Sequence, residues 1–461
     1  MTRRKGIRKS QANKRTQARS KRNDEAKPLP RVGFHSLPIE ILDTILKHAF
    51  KATLLASSRV SRMWRDFALP HLFASVKVAR EWSYDDFFDF LNAHPKLMRY
   101  IRSLELASAS PYAFDTHPTI DPSFLRMLAE KLPRLEKLSL ERLTIASGST
   151  PADTAEDMPG VPLAGRPNGA FRLKQLSIDR PNGYDCDLYI LLVILCTLPT
   201  DSIRVVDAWL KMPDSFDRNH PSIRHLPPLD ISSLSLENFY LSPSSWAPVL
   251  VPLEKDAVFC DALRQMLLPR RLQTLSLGVE LEDRNKTRLD ALGKLLRHAV
   301  KKGLRNYSLP FKIQCPIDPQ EEDADFWRVL RLDHFPELET FGISLCLPSP
   351  VTQPVRGSTP RGIFSAVCIA LMSHLPRTLH ALELTLWGVK EQSQLKNAWV
   401  IDLGLLDDAL QEYFPSLAKL RVVFKGDFYL LEFATFVLRA MPKSKARGIL
   451  EVTDTRYSSY K

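Results

Sequence analysis

Three features of the sequence predict an α/β fold, in which parallel strands alternate with helices behind a short all-helical segment. An apolar-x-x-apolar-x-apolar signature recurs along the chain, usually behind an apolar-Pro stop. Stretches with apolar residues at i, i+3 and i+4 separate its copies. The copies become evenly spaced toward the C-terminus, at the few-tens-of-residues period that marks an array whose units bury their apolar faces on their neighbours.

The strand signatures begin at Phe73, Ile101, Leu135, Leu173, Ile203, Ile231, Leu272, Leu304, Leu338, Leu379 and Leu417. The clearest are "LPRLEKLSL", "LPRRLQTLSL" and "LPRTLHALEL", and "RGILEV" around Ile449 extends the series. Ile203 is the weakest match, and dropping it leaves the earlier gaps less even than the later ones. Helices are expected in "PSFLRMLAEKL" from Pro122, "DLYILLVILCTL" from Asp187, "AVFCDALRQMLL" from Ala257 and "TRLDALGKLLRHAV" from Thr287. "IFSAVCIALMSHL" from Ile363 and "LLDDALQEYF" from Leu405 continue the set. Several end at a proline, which cannot continue a helix. Pro/Gly/Ser-rich insertions follow the strands ending at Leu140, Leu236 and Leu345, so a parallel array gathers them on the rim beyond the strand C-terminal ends. The pattern resembles a long, degenerate leucine-rich repeat covering about residues 73–455. The resemblance implies a solenoid with parallel strands and outer helices over 76–461.

Residues 1–30 carry eleven Lys/Arg against Asp24 and Glu25, nine of the chain's twelve net positive charges, so the rest of the chain is nearly neutral. This stretch has too little apolar surface to offset its ordering entropy and reads as a disordered basic tail. "RRKGIRK" and "KRTQARSKR" suit a nuclear import address or a weak phosphate-binding arm. No apolar h-region of a secretory signal follows the charges. The longest apolar run, eleven residues from Leu188, is short of the roughly 18 a membrane span needs and reads as a buried helix. The six cysteines show neither CxxC nor metal-ligand spacing and read as reduced, mostly buried thiols.

Between tail and repeats, "SLPIEILDTILKHAF" opens at Ser36 and "SRVSRMWRDFALPHLF" at Ser58. Pro38 suits the first turn of a helix and Glu40 its positive end. Ile41, Leu42, Ile45, Leu46 and Ala49 form one stripe. Thr53 suits the cap of a second helix carrying Leu54 and Leu55, and Val60, Met63, Trp64, Phe67 and Ala68 form a further stripe. So short a segment cannot bury this much apolar surface alone, and the repeats or another protein must cover it.

The stretch resembles the F-box, whose pattern is Leu-Pro-x-Glu-Ile-Leu, then Leu-Leu, then Val-Cys-Arg-x-Trp-Arg. The matching residues are Leu37, Pro38, Glu40, Ile41, Leu42, Leu54, Leu55, Val60, Arg62, Trp64 and Arg65. Ala49 stands where a larger apolar residue is common, Arg59 where an apolar one often sits, and Ser61 in place of Cys. With leucine-rich repeats behind it, the chain is similar to fungal F-box/leucine-rich-repeat proteins. That resemblance implies an F-box over 31–75 that binds a Skp-type adaptor, and through it a cullin, by Leu37, Pro38, Ile41, Leu42, Ile45, Val60 and Trp64. It also implies a protein target for the repeats, a place in a ubiquitin ligase, and residence in the nucleus or cytoplasm. A non-catalytic repeat scaffold or inhibitor is the other reading.

No Gly-rich phosphate loop, HExxH, GxSxG or Cys/His metal cluster occurs in the chain, so neither enzyme activity nor a cofactor is expected. The adjacent pairs Asp85-Asp86 and Asp407-Asp408 read as helix-start acids rather than an acid/base couple. Outward positions of the strands are mostly small: Glu105, Ser139, Ser177, Asp207, Ser235, Ser276, Ser308, Gly342, Glu383 and Arg421. Interface anchors are usually aromatic or Arg, and such residues stand just past the strand signatures: Arg142, Arg180, Trp209, Phe239, Tyr240, Trp246 and Trp387. Arg142, Arg180, Phe239, Tyr240 and Trp387 are thus the expected target-binding set.

Overall fold

A computed structural model describes residues 37–81, 83–109, 117–146, 171–181, 186–243, 255–279, 286–300, 303–311, 327–347, 363–396, 401–426 and 429–454. The chain divides into two compact units, Met1–Ala68 and Leu69–Lys461. The basic tail and most of the three Pro/Gly/Ser-rich insertions lie outside the described residues.

The described residues of the first unit are helical: α1 (Ile39–Lys47), α2 (Lys51–Val60) and most of α3 (Arg62–Leu72), whose last residues belong to the second unit. Pro38 stands at the entry of α1 rather than inside it, its carbonyl accepting from the amides of Ile41 and Leu42 at 3.0 and 3.2 Å. Glu40 in the first turn and Lys47 in the last complement the helix dipole. α2 starts at Lys51, two residues before Thr53, which therefore lies within the helix and does not cap it. The real cap is the next one along. Ser61 breaks α2 from α3 with extended backbone, and its hydroxyl accepts from the amide of Trp64 at 3.3 Å. Val60 is thus the last residue of α2 and shares no stripe with Trp64.

In the second unit the strands are β1 (Ser75–Arg80), β2 (Ser103–Ser108), β3 (Thr119–Ile120), β4 (Lys137–Glu141), β5 (Thr144–Ile145), β6 (Gln175–Asp179), β7 (Ser202–Val206) and β8 (Trp209–Met212). They continue as β9 (Ser233–Pro243), β10 (Thr274–Val279), β11 (Asn306–Phe311), β12 (Thr340–Cys346), β13 (Ala381–Val389), β14 (Lys419–Gly426) and β15 (Leu450–Asp454). The main sheet runs β1-β2-β4-β6-β7-β9-β10-β11-β12-β13-β14-β15, and every pair is parallel. Strands join this sheet in the order of the sequence, so the order never reverses as it does in a doubly wound sheet. Two side ladders, β3-β5 and β8-β9, extend strand pairing beyond the main rungs.

Parallel neighbours need long crossovers, usually helical. These are α4 (Asp85–Ala93), α5 (Pro95–Met98), α6 (Pro122–Lys131), α7 (Leu188–Thr197), α8 (Lys255–Met266), α9 (Lys286–Ala299), α10 (Ile363–Met372), α11 (Gln392–Lys396), α12 (Leu403–Tyr413), α13 (Leu430–Ala440) and α14 (Pro442–Ala446). The six helices expected from periodicity are α6 to α10 and α12. Asp121, Asp187 and Asp402 cap α6, α7 and α12 by accepting first-turn amides. α7 buries Leu188, Leu191, Leu192, Ile194 and Leu195, as its apolar run requires. Among the described residues no helix is long and apolar enough to cross a membrane.

Register explains the repeated signature. The second and third apolar positions of each copy align across the sheet, as in Leu104-Leu138-Leu176-Ile203-Leu234-Leu275-Tyr307-Phe341-Leu382-Leu420. All of these are buried in one continuous core. Ile203 therefore occupies the second position of its copy and not the first. The first is Thr200, bridged to Leu173 and buried, its hydroxyl donating to the carbonyl of Leu198 at 3.1 Å. A polar residue in that slot hides the signature, and the outward residue of the row becomes Arg204 in place of the expected Asp207.

Burial raises the thiols of Cys186, Cys196 and Cys368 to about 12. At neutral pH they are unreactive packing groups.

Candidate functional site

Two surfaces carry chemistry that the folding of each unit leaves unused. The first is on the helical unit. Leu42, Leu46, Leu54 and Ala68 are buried, while Ile39, Ile41, Ile45, Phe50, Leu55, Val60 and Met63 are exposed. Ile39, Val60 and Phe50 expose 62, 72 and 83% of their surface. Seven of the thirteen large apolar side chains exposed among the described residues thus fall between Ile39 and Met63. Covering an apolar side chain of this size yields about 1.5–3 kcal/mol, so this face is a strong candidate for a partner. Of the residues expected to meet an adaptor, Pro38, Ile41, Ile45 and Val60 are exposed, Leu37 and Trp64 are half-buried, and Leu42 is turned inside. Leu42 supports the helix from within. Leu55 and Met63, read from the sequence as apolar helix residues, belong to the exposed face, and so do Ile39 and Phe50, which no stripe included.

The second surface is the polar face of the sheet. Its central row in register is Lys77, Glu105, Ser139, Ser177, Arg204, Ser235, Ser276, Ser308, Gly342, Glu383, Arg421 and Glu451. Charges occupy both ends, and small residues fill most of the middle. A Cβ built on Gly342 would lie 2.9 Å from the Ser308 hydroxyl oxygen, so this row is crowded as well as small.

Lys425 on β14 interacts electrostatically with Glu237 on β9 and with Asp207, although β10 to β13 lie between. A flat sheet would separate β9 from β14 by about 24 Å, five spacings of about 4.8 Å, well beyond the screening length. The sheet must therefore curl toward its polar face, which brings side chains of distant strands together.

From the central row to the strand C-terminal ends this face holds a network of charges. Arg204 grips Glu237 with two nitrogens at 3.0 and 2.9 Å, and Ser235 donates to the same carboxylate at 3.0 Å. Burial pushes Glu237 up, but Arg204 and Ser235 together outweigh it and hold the carboxyl below its ordinary range. Arg180 pairs with Asp207 at 3.1 Å, Arg142 with Glu141 at 2.6 Å, and Lys77 with both Glu105 and Glu141. Lys425 lies 3.7 Å over the ring of Trp387. Burial lowers its ammonium against the raising effect of Glu237, Glu383 and Asp207.

Arg142, Arg180 and Asp207 follow β4, β6 and β7 with φ of 54, 49 and 52°. Each donates its amide to the next strand, to the carbonyls of Asp179, Val206 and Glu237 at 2.8, 2.8 and 2.9 Å. Left-handed backbone costs a non-glycine residue roughly 1–2 kcal/mol, and the rung bond holds each in place. Strain repeated on three rungs, with a charged side chain each time, points to the rim as a working surface.

The expected target-binding residues are only partly gathered here. Arg142 and Arg180 stand at the strand ends as expected. Trp387 lies within β13 and not past it, and Phe239 and Tyr240 lie within β9, which runs on to pair with β8 at Trp209. Trp246 lies outside the described residues. Arg204, Glu237 and Lys425 complete the network without having been foreseen. Only correct register would have revealed Arg204 and Glu237, and only the curl reveals Lys425. Among the described residues no group of three His, Cys, Asp or Glu is arranged to hold a metal ion.

Asp179 is the least satisfied member. Its Oδ1 is buried with no hydrogen-bond partner among the described residues, and the Arg180 guanidinium lies 3.9 Å from it. Burial raises its carboxyl, Arg180 and Arg204 oppose the rise, and Asp207 and Glu141 add to it. A carboxyl raised on folding binds its proton more tightly in the native state, so its charge at neutral pH opposes folding. That penalty fades as pH falls through the raised native value toward the ordinary carboxylate range. Asp179→Asn should therefore stabilise the chain at pH 7 by about 1 kcal/mol or less, with the gain vanishing near pH 4. Melting curves of both proteins across that range check this, and a variant that melts lower at pH 7 contradicts it.

No family model matches the chain, and no curated protein matches it in sequence.

Proposed function

We propose that the protein is the substrate-recognition subunit of a Skp–cullin–F-box ubiquitin ligase. In this reading residues 31–75 are an F-box that binds a Skp-type adaptor, and residues 76–461 are a leucine-rich-repeat solenoid that holds a protein target. The observation that carries the reading is the exposed apolar face of the helical unit, in a segment whose Leu37, Pro38, Glu40, Ile41, Leu42, Val60 and Trp64 follow the F-box pattern. A strictly sequential parallel sheet with helical crossovers supports the repeat half.

The mechanism is tethering. The adaptor hangs the chain on a cullin, and the polar face of the sheet holds the target. A lysine of the target is thereby kept at high effective concentration near a ubiquitin-charged conjugating enzyme. The chain contributes no catalytic group. Small residues in the central row let a target approach the sheet, while Arg142, Arg180 and Trp387 supply its anchors.

The test is reconstitution. The full chain mixed with a purified Skp-type adaptor should co-elute in size-exclusion chromatography. The double variant Leu37→Ala, Pro38→Ala should lose the adaptor while keeping the wild-type circular dichroism spectrum. Co-elution of the double variant at wild-type levels would exclude this use of the segment.

A further inference from the structure

The opposite rim, at the strand N-terminal ends, holds an open, shallow cavity of about 400 Å³ lined by Arg102, Pro133, Arg134, Leu135, Glu136, Phe171 and Arg172. It sits where β2, β4 and β6 begin. The rung bonds that build it run from the amides of Glu136 and Lys137 to the carbonyl of Arg102, and from those of Lys174 and Gln175 to the carbonyl of Glu136. Three successive copies of the repeat thus bring three arginines to one opening.

The charges there are not all spent. Arg172 is held by Asp201 and Asp230 and by the Asp230 carbonyl at 2.7 Å. Glu136 is held by Lys174 at 2.8 Å, and that hydrogen bond is the main reason its carboxyl lies below the ordinary range. The side chains of Arg102 and Arg134 are exposed and make no hydrogen bond or ion pair with any described residue, although Glu136 feels the charge of Arg102. Among the described residues the cavity therefore keeps two guanidinium groups without a hydrogen-bond or ion-pair partner, beside Phe171 and Pro133.

We infer that this cavity binds a phosphate monoester carried on an aromatic or apolar group. Guanidinium forks match phosphate oxygens in pairs. A monoester bears about −1.5 to −2 charges at neutral pH, which two free arginines neutralise and a carboxylate would not. The site is open to solvent and mostly polar, so it grips the phosphate, and the carrier rests against Phe171 and Pro133 at its edge. The ester comes either from a small molecule or from a phosphorylated side chain of a protein. The inference is independent of the proposed F-box and stands or falls separately.

Calorimetric titration of the full chain tests it with phenyl phosphate, benzoate and a short phosphotyrosine peptide as probes. Phenyl phosphate should bind at least about tenfold more tightly than benzoate. The variant Arg102→Gln, Arg134→Gln should weaken phenyl phosphate about 100-fold, roughly tenfold per guanidinium, with an unchanged melting temperature. Arg224→Gln with Arg439→Gln removes the same charge elsewhere and should leave binding intact. A peptide that binds more tightly than phenyl phosphate assigns the carrier to a protein, and equal affinity assigns it to a small ester. Benzoate binding as well as phenyl phosphate, no detectable binding of either phosphate probe, or wild-type affinity in the double arginine variant overturns the inference.

Discussion

Ile41→Asp combined with Ile45→Asp is expected to weaken capture of a Skp-type adaptor by at least about 100-fold and to leave the fold intact. Both side chains are about half exposed on α1, one turn apart, beside the buried pair Leu42 and Leu46. Their substitution exposes no core, so its effect on stability should stay within about 0.5 kcal/mol. Each is already half buried, so a partner that covers them loses about half of the 1.5–3 kcal/mol of full burial at each. It must also desolvate two carboxylates, at a cost of roughly several kcal/mol for each one left unpaired, and the sum exceeds the roughly 2.8 kcal/mol that corresponds to 100-fold in affinity. The contrasting variant is Leu46→Asp, which buries a charge without a partner and should melt the helical unit itself. Binding measured by surface plasmon resonance alongside circular dichroism separates the two. If the Ile41/Ile45 variant binds the adaptor normally, this face serves some other contact.

What was legible in the sequence, and what was not, divides along a physical line. The strands were readable because each buries two or three apolar residues at fixed spacing, and the register of most rungs followed from it. One rung slipped because Thr200 fills an apolar slot with a hydroxyl that satisfies itself on Leu198. Apolar stripes in residues 37–68 were readable too, but not which of them faces outward. Ile41 and Leu42 are adjacent, equally apolar and oppositely placed, and only the packing of α1 distinguishes them. The ion network at the rim was half visible. Arg142 and Arg180 stand out as charges after strands, whereas the approach of Lys425 to Glu237 depends on the curl of the four strands that lie between them.

The pair Asp407-Asp408 shows the same limit and leads to the largest expected effect on stability. Both acids lie in the middle of α12 rather than at its start, and they differ completely. Asp408 is exposed and pairs with the Lys443 ammonium at 2.9 Å. Asp407 is 1% exposed and caps another helix. Its Oδ2 accepts the amide of Lys443 at 2.7 Å, and its Oδ1 accepts both the amide of Ser444 at 2.9 Å and the Ser444 hydroxyl. These are first-turn amides of α14, which have no partner within their own helix, so the carboxylate meets the positive end of that dipole. Asp407→Ala leaves three donors unsatisfied at about 1–3 kcal/mol each where they are buried and removes a packed side chain. A loss of about 3–5 kcal/mol is expected. Asp408→Ala breaks only an exposed pair and should cost less than about 1 kcal/mol. Because each strand of the main sheet pairs only with its immediate neighbours, the damage should concentrate at the end of the sheet, where β15 pairs with β14 alone. Hydrogen exchange should show the amides of residues 443–454 losing protection before those of β10 to β13. Equal loss along all strands, or a melting temperature unchanged from wild type, would show that α14 is held in place by something other than Asp407.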